Sequence, residues 1–115
     1  MPKTDVLKQN CEFHHCYGRG KSKASPLLVT YAVKNRGYGV RFGITTTKKL
    51  GTAVERNRCR RIIRAAFSSL RNECSGNYDI VFVARHKTKN SKSTLIAQDM
   101  RLQLISLNVI KGSQN

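Results

Sequence analysis

Apolar and polar positions alternate along this chain with two different periods. Leu7, Phe13 and Tyr17 recur at helical spacing, Asn10 can accept from the first free N–H groups, and Gly18 and Gly20 can stop the turn. This predicts a helix over about residues 10–18. Arg19 to Pro26 mixes glycine, serine, charge and proline, which suits a loop or a short edge strand. Leu27 to Val33 is β-branched, aromatic or apolar, and Asn35-Arg36-Gly37 supplies turn chemistry before Tyr38 to Thr45, so the two runs read as an antiparallel pair. In the second run Tyr38, Val40, Phe42 and Ile44 alternate with Gly39, Arg41, Gly43 and Thr45, which turns one apolar face inward. Thr52-Ala53-Val54-Glu55 matches a capping box and predicts a long helix from Thr52 to about Asn72. Tyr78 to Arg85 is nearly continuously apolar and reads as a central strand. After a polar loop from His86 to Ser93, the residues Leu95, Ile96, Met100, Leu104 and Leu107 return to helical spacing. The order α-β-β-β-α-β-α predicts an α/β (α+β) two-layer sandwich. One domain over residues 1–115 is expected, with flexible ends at 1–6 and 111–115.

Charge narrows the class of partner. The 115 residues carry 22 Lys and Arg against 6 Asp and Glu, a net charge of +16. Spread over the roughly 6,000 Å² expected for this mass, such a field repels itself unless a polyanion lies against it. The longest mostly apolar run, Leu27 to Val33, is far shorter than the roughly 20 residues of a membrane span. The first ten residues lack the apolar core of a secretory signal, so the expected compartment is the cytoplasm and the four cysteines are expected as thiols.

The cations concentrate in one segment. Lys48, Lys49, Arg56, Arg58, Arg60, Arg61 and Arg64 are opposed there only by Glu55. With about 100° per residue, Cys59, Ile62, Ile63, Ala66, Phe67 and Leu70 share a core face, while Asn57, Arg60, Arg61, Arg64 and Arg71 form a ridge. A solvated charged helix mixes signs at four-residue spacing, and glutamates at those positions are missing. Arginine suits phosphate because its planar fork donates two parallel hydrogen bonds. The helix alone leaves DNA and RNA open.

Here the sequence resembles the protein component of bacterial ribonuclease P. The likeness rests on Arg41-Phe42-Gly43-Ile44, on Lys48-Lys49-Leu50-Gly51-Thr52-Ala53-Val54, and on Arg56-Asn57-Arg58-Cys59-Arg60-Arg61-Ile62-Ile63-Arg64. Asp79-Ile80-Val81-Phe82-Val83-Ala84-Arg85 looks like that family's last strand, and weaker likeness extends to Leu7, Phe13, Tyr17, Gly20 and Tyr31. Departures stand at Pro26, Cys59 and Arg60. The resemblance implies a fold like the second domain of ribosomal protein S5, with a mixed sheet and a left-handed β-α-β crossover. It also implies the protein subunit of a ribonucleoprotein endoribonuclease, in which a large catalytic RNA removes the 5′ leader of precursor tRNA with Mg2+ held mainly by RNA. Lys48, Lys49, Arg56, Asn57, Arg58, Arg60, Arg61 and Arg64 would then contact the catalytic RNA. Phe13, Tyr17 and Tyr31 would line a cleft for the single-stranded leader, where ordinary core filling is the competing explanation. Both RNAs are implied as partners, with neither a membrane nor an obligate protein partner.

Other signals are weaker. Cys11-x-x-His14-His15-Cys16 has a metal-like look but lacks a second closely spaced ligand pair. The histidines His14, His15 and His86 have no orienting carboxylate at a motif-like spacing, which counts against a self-sufficient protein nuclease. No catalytic residue is therefore assigned to the protein, and its six carboxylates are scattered. The alternative is a ribosomal or other structural RNA-binding protein without a part in cleavage.

Overall fold

Strand alternation divides the molecule into two faces of one sheet. The computed structural model describes residues 10–111. In chain order these form α1 (Asn10–Arg19), β1 (Lys21–Ala24), β2 (Leu28–Lys34), β3 (Val40–Thr45), α2 (Ala53–Leu70), β4 (Tyr78–Ala84) and α3 (Ser93–Ser106). The expectations for Leu7 and for the ends beyond Lys111 and before Asn10 fall outside the described residues. The element order matches the one predicted from the hydrophobic pattern.

The pairing corrects one expectation. β2 and β3 are not a hairpin pair: the sheet order is β1-β2-β4-β3. β4 lies between them, antiparallel to β2 and parallel to β3. The turn chemistry of residues 35–37 is genuine, with Gly37 and Gly39 at φ +88° and +72°. A turn fixes only the reversal of direction, however. The most apolar strand takes the central place because it can bury both faces there.

On one face of β4, Ile80, Phe82 and Ala84 join Leu28, Ala32, Phe42, Ile63, Phe67, Ile96, Met100 and Leu104 in the main core beneath α2 and α3. Phe67 packs between Phe42 (4.8 Å) and Phe82 (5.2 Å). Thr30 and Gln103, both buried, satisfy each other at 2.6 Å, and the Gln103 amide donates to the Leu28 carbonyl at 3.0 Å. On the other face Val81 meets Cys16 of α1, with Phe13, Tyr31, Val33 and Val83 around them. The close approach of α1 to β2 requires Gly20. A Cβ there would lie 2.4 Å from the Cys16 carbonyl oxygen and 2.9 Å from that of Ala32.

The capping box forms as predicted. Thr52 Oγ1 accepts from the Glu55 N–H at 3.2 Å and Glu55 Oε1 accepts from the Thr52 N–H at 2.9 Å. Gly51 makes room for that carboxylate at φ +130°, a left-handed value that suits glycine. α2 ends at Leu70, two residues before the predicted end, and tightens into a 3-10 turn over Arg71–Glu73.

Candidate nucleic-acid interface

Two surfaces emerge, one on each side of the sheet. The first is the outer side of α2. Burying Cys59, Ile63, Ala66, Phe67 and Leu70 turns Asn57, Arg61 and Arg64 into solvent, with Arg60 half-buried beside them. Asn57, Arg60, Arg61 and Arg64 line one shallow depression with Val54, which is 74 % exposed. Arg60 Nη1 donates to Asn57 Oδ1 at 3.3 Å. Among the described residues none of Arg58, Arg60, Arg61 and Arg64 has a carboxylate partner. The only acid of the segment, Glu55, is engaged by the helix cap and by Lys89 Nζ at 3.1 Å. Its pKa is lowered first by the backbone hydrogen bond at Thr52, then by Lys89.

Lys48 and Lys49 stand exposed on the 3-10 turn Lys48–Leu50 that leads into α2. Two arginines depart from the ridge. Arg56 is half-buried, with its Nε in the interior and unbonded. Arg71 leaves the helix and lays its guanidinium over Phe42 and Phe67, at 5.7 and 5.9 Å from the ring centroids. Its place on the ridge is thus corrected, because the helix ends before it. Arg58 and Arg61 face a different groove of about 790 Å³, closed on the far side by Lys89 and Lys92. Sequence reading treated the segment holding those lysines as a plain polar loop. Its only signal was three lysines in six residues, Lys87 to Lys92.

The second surface is the α1 side. Tyr17 and Tyr31 meet edge to face at 5.0 Å, and the Tyr17 hydroxyl pairs with Thr45 Oγ1 at 2.7 Å. Tyr17 is 38 % exposed, whereas Phe13 is half-buried against the Cys16–Val81 contact. Phe13 and Tyr31 both pack, half-buried, against that contact, while Tyr17 keeps its ring at the surface. Tyr38, expected to point inward, is 64 % exposed because β3 begins only at Val40.

The carboxylates do not assemble. Asp79 is bound by Arg41, Glu55 by Lys89, Glu73 by Arg101 and Asp99 by Ser25. No group of three or more His, Cys, Asp or Glu among the described residues could hold a metal ion. The side chains of Cys11 and His14 fall outside that description. Cys16, Cys59 and Cys74 are thiols outside any disulfide; burial raises the pKa of Cys59 and pushes that of Cys74 to about 11. No described helix is long and apolar enough to cross a membrane.

Known proteins share this architecture over nearly the whole chain. Residues 1–107 match the family model for ribonuclease P. The ribonuclease P protein component of Clostridium botulinum strain Loch Maree is 39% identical over 106 residues, covering 91% of this chain and 92% of that one. The corresponding protein of Oceanobacillus iheyensis is 34% identical, covering 100% and 96%. Among solved structures, the Staphylococcus aureus RNase P protein superposes with a TM-score of 0.82 at 31% identity, covering 95% of this chain and all (100%) of that one. The Thermotoga maritima RNase P protein gives 0.74 at 26% identity, covering 93% and 98%.

Proposed function

The chain belongs to the ribonuclease P protein family, and from that premise we propose that it is the protein subunit of a ribonucleoprotein that removes 5′ leaders from precursor tRNA in the cytoplasm. The catalytic RNA breaks the bond and this chain binds both RNAs. The observation that carries the reading is the unneutralised ridge of Arg60, Arg61 and Arg64 on α2. Guanidinium groups without carboxylates on an 18-residue helix are free to fork onto phosphates. Lys48, Lys49, Arg56, Asn57 and Arg58 extend that contact toward the catalytic RNA.

The leader is assigned to the other face, against Tyr17 and Tyr31 with Phe13 behind them. Stacking tolerates any base, as a leader of variable sequence requires. Two-ion hydrolysis needs converging carboxylates, and among the described residues Glu55, Glu73, Asp79 and Asp99 are each committed to a separate partner. The ions are accordingly assigned to RNA phosphates. The protein's part is to neutralise repulsion between two polyanions, which lowers the magnesium concentration needed for them to associate.

The test is cleavage of a precursor tRNA at low millimolar Mg2+ by protein alone, a bacterial ribonuclease P RNA alone, and both together. Cleavage by the mixture only is expected. Cleavage by rigorously purified protein would move the active site into this chain. Absence of stimulation with a competent cognate RNA would leave a structural RNA-binding protein.

A further inference from the structure

Beyond the Tyr17–Tyr31 pair, the α1 side of the sheet continues one step toward the turn between β2 and β3. Register places Tyr31, Val81 and Gly43 in one cross-strand row and Val33, Asp79 and Arg41 in the next, about 7 Å along the strands. In that second row Asp79 is only 4 % exposed and its charge is fully used. Arg41 Nε and Nη2 each donate to one of its oxygens at 2.8 Å. Asn35 Nδ2 donates to Asp79 Oδ1 at 2.9 Å and to the Gly39 carbonyl at 2.8 Å, while Asn35 Oδ1 accepts from the Tyr38 N–H at 2.9 Å. The turn is thereby tied to the ion pair.

Tyr38 is carried on this scaffold between two glycines in left-handed conformation. The Arg41 guanidinium lies 4.5 Å from its ring centroid, so a cation whose own position is fixed by a buried carboxylate supports the ring. The ring nevertheless remains mostly in solvent, which does nothing for the core. Beside it is a cavity of about 240 Å³ whose wall also includes His15, Lys34 and Arg36. The one acid in that wall is Asp79, already neutralised. An aromatic platform backed by arginine and ringed by cations fits a base with its phosphate.

We propose that this pocket is a second nucleotide subsite for the single-stranded leader, with Tyr38 stacking a base and Lys34 and Arg36 meeting the adjoining phosphates. The proposal rests on the reading that this face holds the leader. A strand stacked at Tyr17–Tyr31 and continuing along β3 reaches Tyr38 next, so the subsite is felt only by leaders long enough to arrive there.

The experiment measures equilibrium binding of precursor tRNAs with leaders of stepped length, and of mature tRNA, to holoenzyme containing wild-type, Tyr38→Ala or Tyr38→Phe protein. Tyr38→Ala is expected to weaken binding of long-leader substrates roughly five- to a hundredfold and to leave short-leader and mature tRNA unchanged. Tyr38→Phe should keep most of the affinity. An unchanged length dependence in Tyr38→Ala overturns the subsite. So does a uniform loss that includes mature tRNA, which would assign the pocket to the catalytic RNA. If wild-type holoenzyme itself shows no leader dependence, the underlying leader-binding reading fails as well.

Discussion

The outer side of α2 and the α1 side of the sheet solve the problem of holding RNA in opposite ways. Among the described residues, four arginines on α2, Arg58, Arg60, Arg61 and Arg64, lack acidic partners, and the only side-chain hydrogen bond among them and Asn57 is the loose one from Arg60. On the α1 side, polar groups are internally matched: Tyr17 with Thr45, Arg41 and Asn35 with Asp79. The first surface acts at a distance and weakens with salt. The second adds contact with flat rings, Tyr17, Tyr31 and Tyr38, to the smaller salt-dependent share of Lys34 and Arg36. The pair therefore separates attraction from fit, and each can be disturbed without the other.

The largest expected effect abolishes the comparison. Phe67→Ala removes the ring between Phe42 and Phe82 and should cost about 3–5 kcal/mol, read from urea denaturation. Both surfaces would then fail together, since both are built on β4. Asp79→Ala comes next. It removes the bidentate carboxylate from the Arg41 guanidinium, whose side chain is 17% exposed, and should cost about 3 kcal/mol in the same assay; the α1 side should lose leader binding before the ridge loses its salt response.

The ridge can be altered alone. Arg61→Ala and Arg64→Ala should each reduce the slope of log affinity against log salt by about one, while stability stays within about 0.5 kcal/mol. Unchanged slopes for both would remove these residues from the RNA contact. Tyr17→Phe does the reverse on a smaller scale. Losing its hydroxyl partner Thr45 should cost about 0.5–1 kcal/mol with no change in salt slope.

The smallest effect concerns Glu55. Its folded-state pKa lies below the ordinary 4.5, so its stabilising effect is present above that value and is lost as pH falls through the lowered one. Acid unfolding of Glu55→Gln should lack that component. A superimposable acid limb in the two proteins would show that the cap and Lys89 contribute nothing at low pH.

Local chemistry was legible in the sequence and long-range pairing was not. The Thr52–Glu55 box could be read because both partners lie within one turn, and the α2 ridge because helical periodicity places neighbours by count. Asn35-Arg36-Gly37 suggested a hairpin since turn residues announce a reversal, yet nothing local says that β4, some forty residues later, will insert. The nearly continuous apolar run of Tyr78 to Arg85 gave Asp79 no part of its own; only its parallel alignment opposite Arg41 shows why it is there. Lys89 lay in a featureless loop, although its ammonium bonds both the Leu50 carbonyl (3.0 Å) and Glu55. Tyr38 was misplaced by extending a period of two back into the turn.

The insertion of β4 between β2 and β3 also orders events during synthesis. β2 and β3, which both emerge earlier, are joined into one sheet only when Tyr78–Ala84 arrives between them. A nascent chain ending before residue 78 therefore exposes Leu28, Phe42 and Phe67 along with its whole arginine-rich helix. Native structure must wait for the seam to close, and the polypeptide leaves the translating ribosome with its cations displayed before its core is shut.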